Sequence, residues 1–486
     1  MGQRRIVIVA LFGLFLSACS RTPQSVVEDV AQKTGATGLK TIQYSGTGSA
    51  FRFGLSYEPT EPWPKLEMKS YTRVVDYEKG AWQDNSFQEQ FANRPRDDRP
   101  QPEFRFRNEI AAFADGHAWN VIGDGAPAAA HEEVEERQLQ AVITPLGWVK
   151  AAMTANPTME SANINGKEVT AISFTVQGNH KVKGYVNAEN LLEKVETWVA
   201  NPLFGDMLIE TNYSDYRDFS GVMFPGKILQ NMGGFPVLDL TVSEVKPNAP
   251  VNIEVPEEAK QPPTPHEGVK TKKVADGLWY LAGGSHTSMV LEFNDHVVVF
   301  DCPGEEERSL EVMAEVKKLV PGKPIRYVIN SHHDPNHSGG IRTYVAEGVT
   351  VVTHAINKEF YERIFQTPHT LEPDRLFQNP KPATFLTVEN EHTLTDGTRS
   401  LVLYQVKDNI HNAGLLMAYL PKEKILMEAD SWSPRAPNIP YPPPNLMTLN
   451  LADNIERLKL DVQYILPTHG RMVPIAELRR AIMSRR

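Results

Sequence analysis

Between Asn330 and Gly340 the chain places His332, Asp334, Asn336 and His337 within six residues, just after the run Ile325 to Ile329 and just before a Gly-Gly turn. The β-branched and aromatic content of Ile325, Tyr327, Val328 and Ile329 reads as a strand. Imidazole and oxygen donors crowded at a strand's end suit a divalent cation, because alternate side chains of an extended loop converge on one point. Such a cluster needs a rigid sheet edge beneath it.

The surrounding sequence alternates strands with helices. Met289 to Phe293 and Val297 to Phe300 flank Asn294-Asp295-His296 as a hairpin. A helix follows from about Glu305 to Val320, with Leu310, Met313, Val316 and Val320 as its apolar stripe and Pro321-Gly322 as its stop. Val349 to Thr353, Leu415 to Leu420 and Ile425 to Met427 supply further strands, which predicts sheets covered by helices.

At 486 residues the chain is long enough for two domains. The division falls at 256–265, where proline and charge dominate and neither helix nor central strand can form, so an extended linker is expected. The layout is then 1–18 as a processing signal, 19–255 as a first domain and 266–486 as a second. The first domain reads as β-rich. Helix signals mark Pro23 to Thr34, with Thr22 as N-cap, Gly35 as stop, and Val26, Val27 and Val30 on one face. Alternating segments follow, among them Lys194 to Trp198, Leu208 to Tyr213 and Val237 to Val242. A twisted antiparallel sheet or half-barrel with one or two helices fits, and in outline it resembles the lipoprotein-carrier half-barrels of bacterial envelopes. No constellation of chemistry stands out in this half.

The net charge of −10 argues against nucleic acid, since no basic stripe is available for phosphates. A small molecule is the expected partner; oligomeric state is not encoded in any pattern. Arg4 and Arg5 precede an apolar run, Ile6 to Leu16, too short to span a bilayer. It ends Leu16-Ser17-Ala18-Cys19, which resembles the lipobox of bacterial lipoproteins. That resemblance implies that Cys19 is lipid-modified and anchors the protein to a membrane of the cell envelope, facing the periplasm. The alternative is an ordinary cleaved signal containing a cysteine. With Cys19 lipidated, Cys302 has no disulfide partner and reads as a small core residue rather than a nucleophile.

Three later positions complete the candidate centre. His411 precedes a strand, Asp430 follows one, and His469 lies just past the apolar Tyr464-Ile465. In this order the second domain resembles the metallo-β-lactamase superfamily, whose members place a His-x-His-x-Asp-His loop after a strand, then a lone His, a bridging Asp and a final His. The resemblance implies an αββα sandwich with a one- or two-metal site, giving an α/β (α+β) chain overall. It assigns His332 and His337 to the first and last motif histidines, with Asp334 where the second His is usual and Asn336 where Asp is usual. His411, Asp430 and His469 match the later ligands. The first ion would see His332, Asp334 and His411. The second would see His337, His469, the shared Asp430 and at best an amide oxygen from Asn336.

The family chemistry implies Zn²⁺, one or two ions, and hydrolysis of an ester, thioester or amide by a zinc-activated hydroxide, with Asp334 and Asn336 as catalytic positions. Within the family the glyoxalase-II-like branch looks closer than true β-lactamases. Because an amide ligates weakly and accepts no proton, two other readings stand beside this one. One is a catalytically silent binding or assembly protein. The other is a di-iron oxidoreductase: flavodiiron relatives also carry a carboxylate at the second motif position, and oxygen-rich ligation suits iron. They keep Asp where this chain has Asn336, however, and no flavin-binding segment is present, so iron is less expected than zinc. His286, in a Gly-rich turn, is expected to line the cleft, and His333 and His354 to support it. The stretch Ser431 to Pro444, stiffened by six prolines, is expected to rim the cleft with Trp432, Arg435 and Tyr441 facing substrate. A rigid packing loop is the alternative there.

Overall fold

The computed structural model describes residues 21–90, 107–176, 179–263 and 268–484. Cys19 and the apolar run before it lie outside the described residues, together with the expectations that rest on them. Among the described residues no helix is long and apolar enough to cross a membrane.

Helix α1 (Pro23–Thr34) starts and stops where its local chemistry dictates. The Thr22 hydroxyl accepts the Ser25 backbone N–H, Ser25 returns the bond to the Thr22 amide, and Pro23 occupies a turn that needs no donor. Gly35 ends it in the left-handed region at φ 74°. Val26, Val27 and Val30 are fully buried.

The strands from Thr41–Phe51 to Phe235–Pro247 form one thirteen-stranded antiparallel sheet among the described residues. Sequence neighbours pair except Ala128–Ala129 and Thr158–Ile164, which form the two edges, and the first strand also pairs with the last. Three helices fill its inner face, one more than the largest number expected: α1, α2 (Val134–Val142) and α3 (Pro145–Thr154). The Trp82 indole donates to the Arg137 carbonyl at 2.6 Å, and the buried Trp148 lies so close over Gly184 that no Cβ fits there. Phe113 and Phe174, on strands toward opposite ends of the sheet, join the same core, so the sheet curls around the helices.

Residues 256–263 are not a free spacer. Residues 257–260 form a turn, and Ala259 is buried against Ala81, Ala112, Ala114 and Trp119 on the sheet's opposite face.

From Lys270 onward the chain builds two sheets, of seven and six strands. Val297–Phe300, Ile325–Ile329, Thr350–His354 and Phe385–Val388 run parallel in the first. Period-2 alternation sorts the side chains. Val298 and Phe300 meet Leu416, Ala418 and Met427 between the sheets, while Val297 and Val299 face helix α4 (Glu306–Leu319). Along α4 the buried stripe is Val312, Met313 and Val316, with Leu310 only half-buried. Helices Leu446–Arg457 and Ile475–Met483 cover the second sheet through Leu451 and Leu478. The layers are therefore αββα, as the sequence implied.

The two halves interlock. Leu203, from the first, is fully buried in the helix-side core of the second. The Asp206 carboxylate accepts the amides of Thr370 and Leu371, each at 3.0 Å. The loop after Phe51 reaches further: Tyr57 O accepts the Ala413 amide at 2.9 Å.

Candidate metal centre

Four donors meet at the edge where the two sheets face each other. His332 and Asp334 follow the strand Ile325–Ile329, His411 precedes Leu416–Leu420, and Asp430 follows Ile425–Glu428. The Leu416 amide donates to Ser331 O at 2.8 Å, which ties the two sheets together beside the site. His332 Nε2 lies 3.5 Å from Asp334 Oδ2, 3.4 Å from Asp430 Oδ2 and 3.3 Å from His411 Nε2. His411 Nε2 lies 3.1 Å from Asp334 Oδ2 and 3.2 Å from Asp430 Oδ2. Ligands held about 2.1 Å from a common tetrahedral centre stand about 3.4 Å apart. Moreover Asp334 Oδ2, although buried, receives no aligned hydrogen bond. The donor set fits a divalent cation.

A second group sits alongside. His286, His337 and His469 each offer a nitrogen within 4.8 Å of the others. His337 Nε2 is 3.1 Å and His469 Nε2 2.9 Å from Asp430 Oδ1. Asp430 thus turns one oxygen to each group, from a left-handed backbone at φ 57° that the end of the strand imposes.

Outer partners fix the rings. Asp301, fully buried, accepts the Ser331 amide at 2.8 Å and its hydroxyl at 2.9 Å, and lies 2.9 Å from His337 Nδ1. A proton held on Nδ1 leaves the Nε2 lone pair facing Asp430. His469 does the same through Nδ1, 3.2 Å from Ser285 O. Burial opposes charge throughout the centre, yet the imidazoles hold Asp334 and Asp430 well below the usual carboxylate range. Conversely, the Asp334 and Asp430 carboxylates outweigh burial at His411 and raise it to about 10. The carboxylates call for positive charge between the rings, and a divalent cation meets that need. Glu428, also fully buried, is pushed up to about 8 by burial and then by Asp430; its carboxyl accepts the Ser431 and Trp432 amides and shapes the turn at the bridging residue.

His332, Asp334, His337, His411, Asp430 and His469 are therefore brought together. Asn336 is exposed on the short helix Pro335–Ser338, with its Nδ2 3.1 Å from His286 Nε2. His286, which the sequence suggested only as cleft lining, stands in the group with His337 and His469. Trp432 and Tyr441, expected at a rim, are held within the protein. Trp432 is buried among Val406, Leu415 and Met417, and the Tyr441 hydroxyl donates to Glu477 at 2.7 Å. Burying the indole gains more than exposing it at a rim. Arg435 is exposed, but its guanidinium donates to Pro440 O within its own loop at 3.0 Å. His354 Nε2 meets Glu389 O at 2.9 Å, and Cys302 is a free thiol in the core, its ionisation pushed far up by burial. Sequence reasoning passed over Asp301 and Glu428; an acidic residue just past a strand of four apolar residues is the signal that marks Asp301.

The αββα sandwich thus carries, at its sheet edge, two groups of histidine and carboxylate donors that could hold metal ions. Residues 281–403 match the family described as the metallo-beta-lactamase superfamily. That match suggests a metal-dependent hydrolase. Among solved structures, DIM-1 metallo-beta-lactamase is 16% identical, covering 45% of this chain and 96% of its own, with a TM-score of 0.35. A metallo-beta-lactamase from Pontibacter korlensis is 17% identical over 44% of this chain and 97% of its own, at 0.34. The mono-zinc form of FIM-1 from Pseudomonas aeruginosa is 17% identical over 45% and 94%, also at 0.34. No match was found among curated proteins.

Proposed function

We propose that the protein is a zinc-dependent hydrolase of an ester, thioester or amide bond in a small molecule. The observation that carries this reading is the set of five donor–donor distances of 3.1–3.5 Å joining His332, Asp334, His411 and Asp430 Oδ2. When bound, Zn²⁺ supplies Lewis acidity toward a carbonyl oxygen and acidifies water near neutral pH. His332, Asp334 and His411 hold one ion, His337 and His469 take part in holding another, and Asp430 is shared between them. Asp301 and Ser285 keep the His337 and His469 rings turned inward. Asn336, a carboxamide at the open rim, can orient a bound group by hydrogen bonding but accepts no proton. The test is zinc content of the purified protein together with turnover of an ester, thioester and amide panel. Chelation should abolish turnover, zinc should restore it, and Asp430→Ala should lack it. Zinc-free protein with no turnover after zinc addition would overturn the reading.

We further propose, on Leu16-Ser17-Ala18-Cys19, that the protein is lipid-anchored in a bacterial envelope and faces the periplasm. Cys19→Ser should move it from the membrane fraction to the soluble one.

A further inference from the structure

The short motif leaves the second group without a carboxylate of its own, because Asn336 stands at that position. We propose that His286, from outside the motif, is the replacement ligand, so that a second divalent cation is held by His286, His337, His469 and Asp430 Oδ1. This rests on the hydrolase reading only in taking the centre to bind metal.

The placement of His286 is built rather than incidental. Its ring centroid lies 4.8 Å from that of His337 and 4.1 Å from that of His469. Three constraints hold it there. The Thr287 amide donates to Thr468 O at 2.9 Å, which sets the start of the strand His286–Glu292 beside His469. Ser285 O lies 3.2 Å from His469 Nδ1, so the same turn orients a second ring of the group. From α4, the Arg308 guanidinium donates to His286 O at 3.1 Å and to Leu281 O at 3.2 Å, fixing the turn from beneath.

The ring's own bonds place its lone pair on Nε2. Ser285 Oγ sits 2.7 Å from Nδ1, while Asn336 Nδ2 donates toward Nε2 at 3.1 Å. Nε2 is then an acceptor at the position where the usual motif would bring a carboxylate. With His286, the second ion receives three imidazoles and one carboxylate oxygen, a full set for a borderline ion such as Zn²⁺. Without it, two imidazoles and a shared oxygen remain. The centre keeps two carboxylates for two cations, Asp334 on one side and Asp430 between them.

Zinc titration of the chelator-stripped protein, read by calorimetry and by metal content after dialysis, tests this without reference to turnover. The full chain should bind two equivalents. His286→Ala and the milder His286→Gln should each keep one equivalent and weaken the other more than about 100-fold, beyond what losing an outer partner costs. Adding Asn336→Asp to His286→Ala should restore the second equivalent, a recovery that a purely structural role for His286 would not give. Two equivalents of unchanged affinity in both single variants would overturn the assignment. One equivalent in the full chain would overturn it while leaving the hydrolase reading intact, and none would overturn that reading as well.

Discussion

Ser56, in the first domain, accepts a hydrogen bond at 2.9 Å from Nε2 of His333, in the second. His333 Nδ1 accepts in turn from Asn412 Nδ2 at 3.0 Å, and the same amide reaches Asp334 Oδ1 at 3.4 Å. Burial pushes His333 down to about 4, which keeps it neutral and able to accept on one nitrogen while donating from the other. Gly54 lies against Pro335 so closely that a Cβ would sit 2.7 Å from its ring. The loop after Phe51 therefore braces a carboxylate of the metal centre from the other domain.

Ser56→Ala removes the first acceptor of this chain and leaves the buried His333 Nε2–H unpaired. Zinc affinity of the His332 group should fall on the order of tenfold, as when an outer partner of a ligand is lost. Ser56→Thr should keep it near the native value. Competition against a chelator measures both, and unchanged affinity in the alanine variant would separate the first domain from the centre.

Asp301→Asn tests the second brace. The carboxylate accepts from the Ser331 amide and hydroxyl and holds His337 Nδ1. A carboxamide offers one acceptor oxygen in place of two, so one buried donor loses its partner. Stability should drop by about 1–3 kcal/mol, and cation affinity on the His337 side by about 10–100-fold. Urea unfolding with and without zinc reads the two effects separately; a variant matching the native protein in both would show that His337 is oriented by something else.

What the sequence disclosed followed the range of the interactions. Helix α1 was readable to the residue, because Thr22, Pro23 and Gly35 act on their immediate neighbours. The strands that carry the ligands were readable as short apolar runs, and the motif itself as donors crowded after one of them. His286 was seen but not its role, since only the pairing of Thr287 with Thr468 brings it to His469. Ser56 gave no signal: a single hydroxyl in a polar loop gains meaning only from the ring opposite it. Trp432 misled in the other direction. A proline-rich loop looks like a rim, but an indole beside apolar strands is buried when the fold allows it. The proline-rich stretch after Val255 excluded helix correctly, yet Ile253, Val255 and Ala259 pack onto the sheet, a contact that composition does not reveal.

Gly205→Ala should disrupt the joint between the halves. Gly205 has φ 74°, and its backbone runs against Pro368 O and His369 with no room for a Cβ. The left-handed conformation costs an L-residue about 1–2 kcal/mol, and crowding in a packed contact about 1–3 more. The variant should lose about 2–4 kcal/mol in urea unfolding. Gly221→Ala, also left-handed but with open space around it, should show only the first part. Equal losses in the two variants would mean that the contact with Pro368 contributes nothing.

The same joint should carry a pH dependence through His369. Its ring is buried, with Nδ1 3.7 Å from Asp374, whose carboxylate is held by the Arg342 guanidinium at 2.5 and 3.1 Å. Burial, then the Arg342 charge, lower the His369 pKa, against the smaller pull of Asp374 and Asp206. Above about 6.5 the ring is neutral in both folded and unfolded chains. Below it the unfolded chain takes up a proton that the folded chain resists, so stability present at higher pH is lost as pH falls toward the folded value. One pH unit below 6.5, this contribution is at most about 1.4 kcal/mol. His369→Gln removes it while leaving the other titrating groups in place. Between pH 7.5 and 5.5 the native protein should therefore lose more unfolding free energy than the variant. An equal loss in both would show that folding leaves the basicity of His369 untouched.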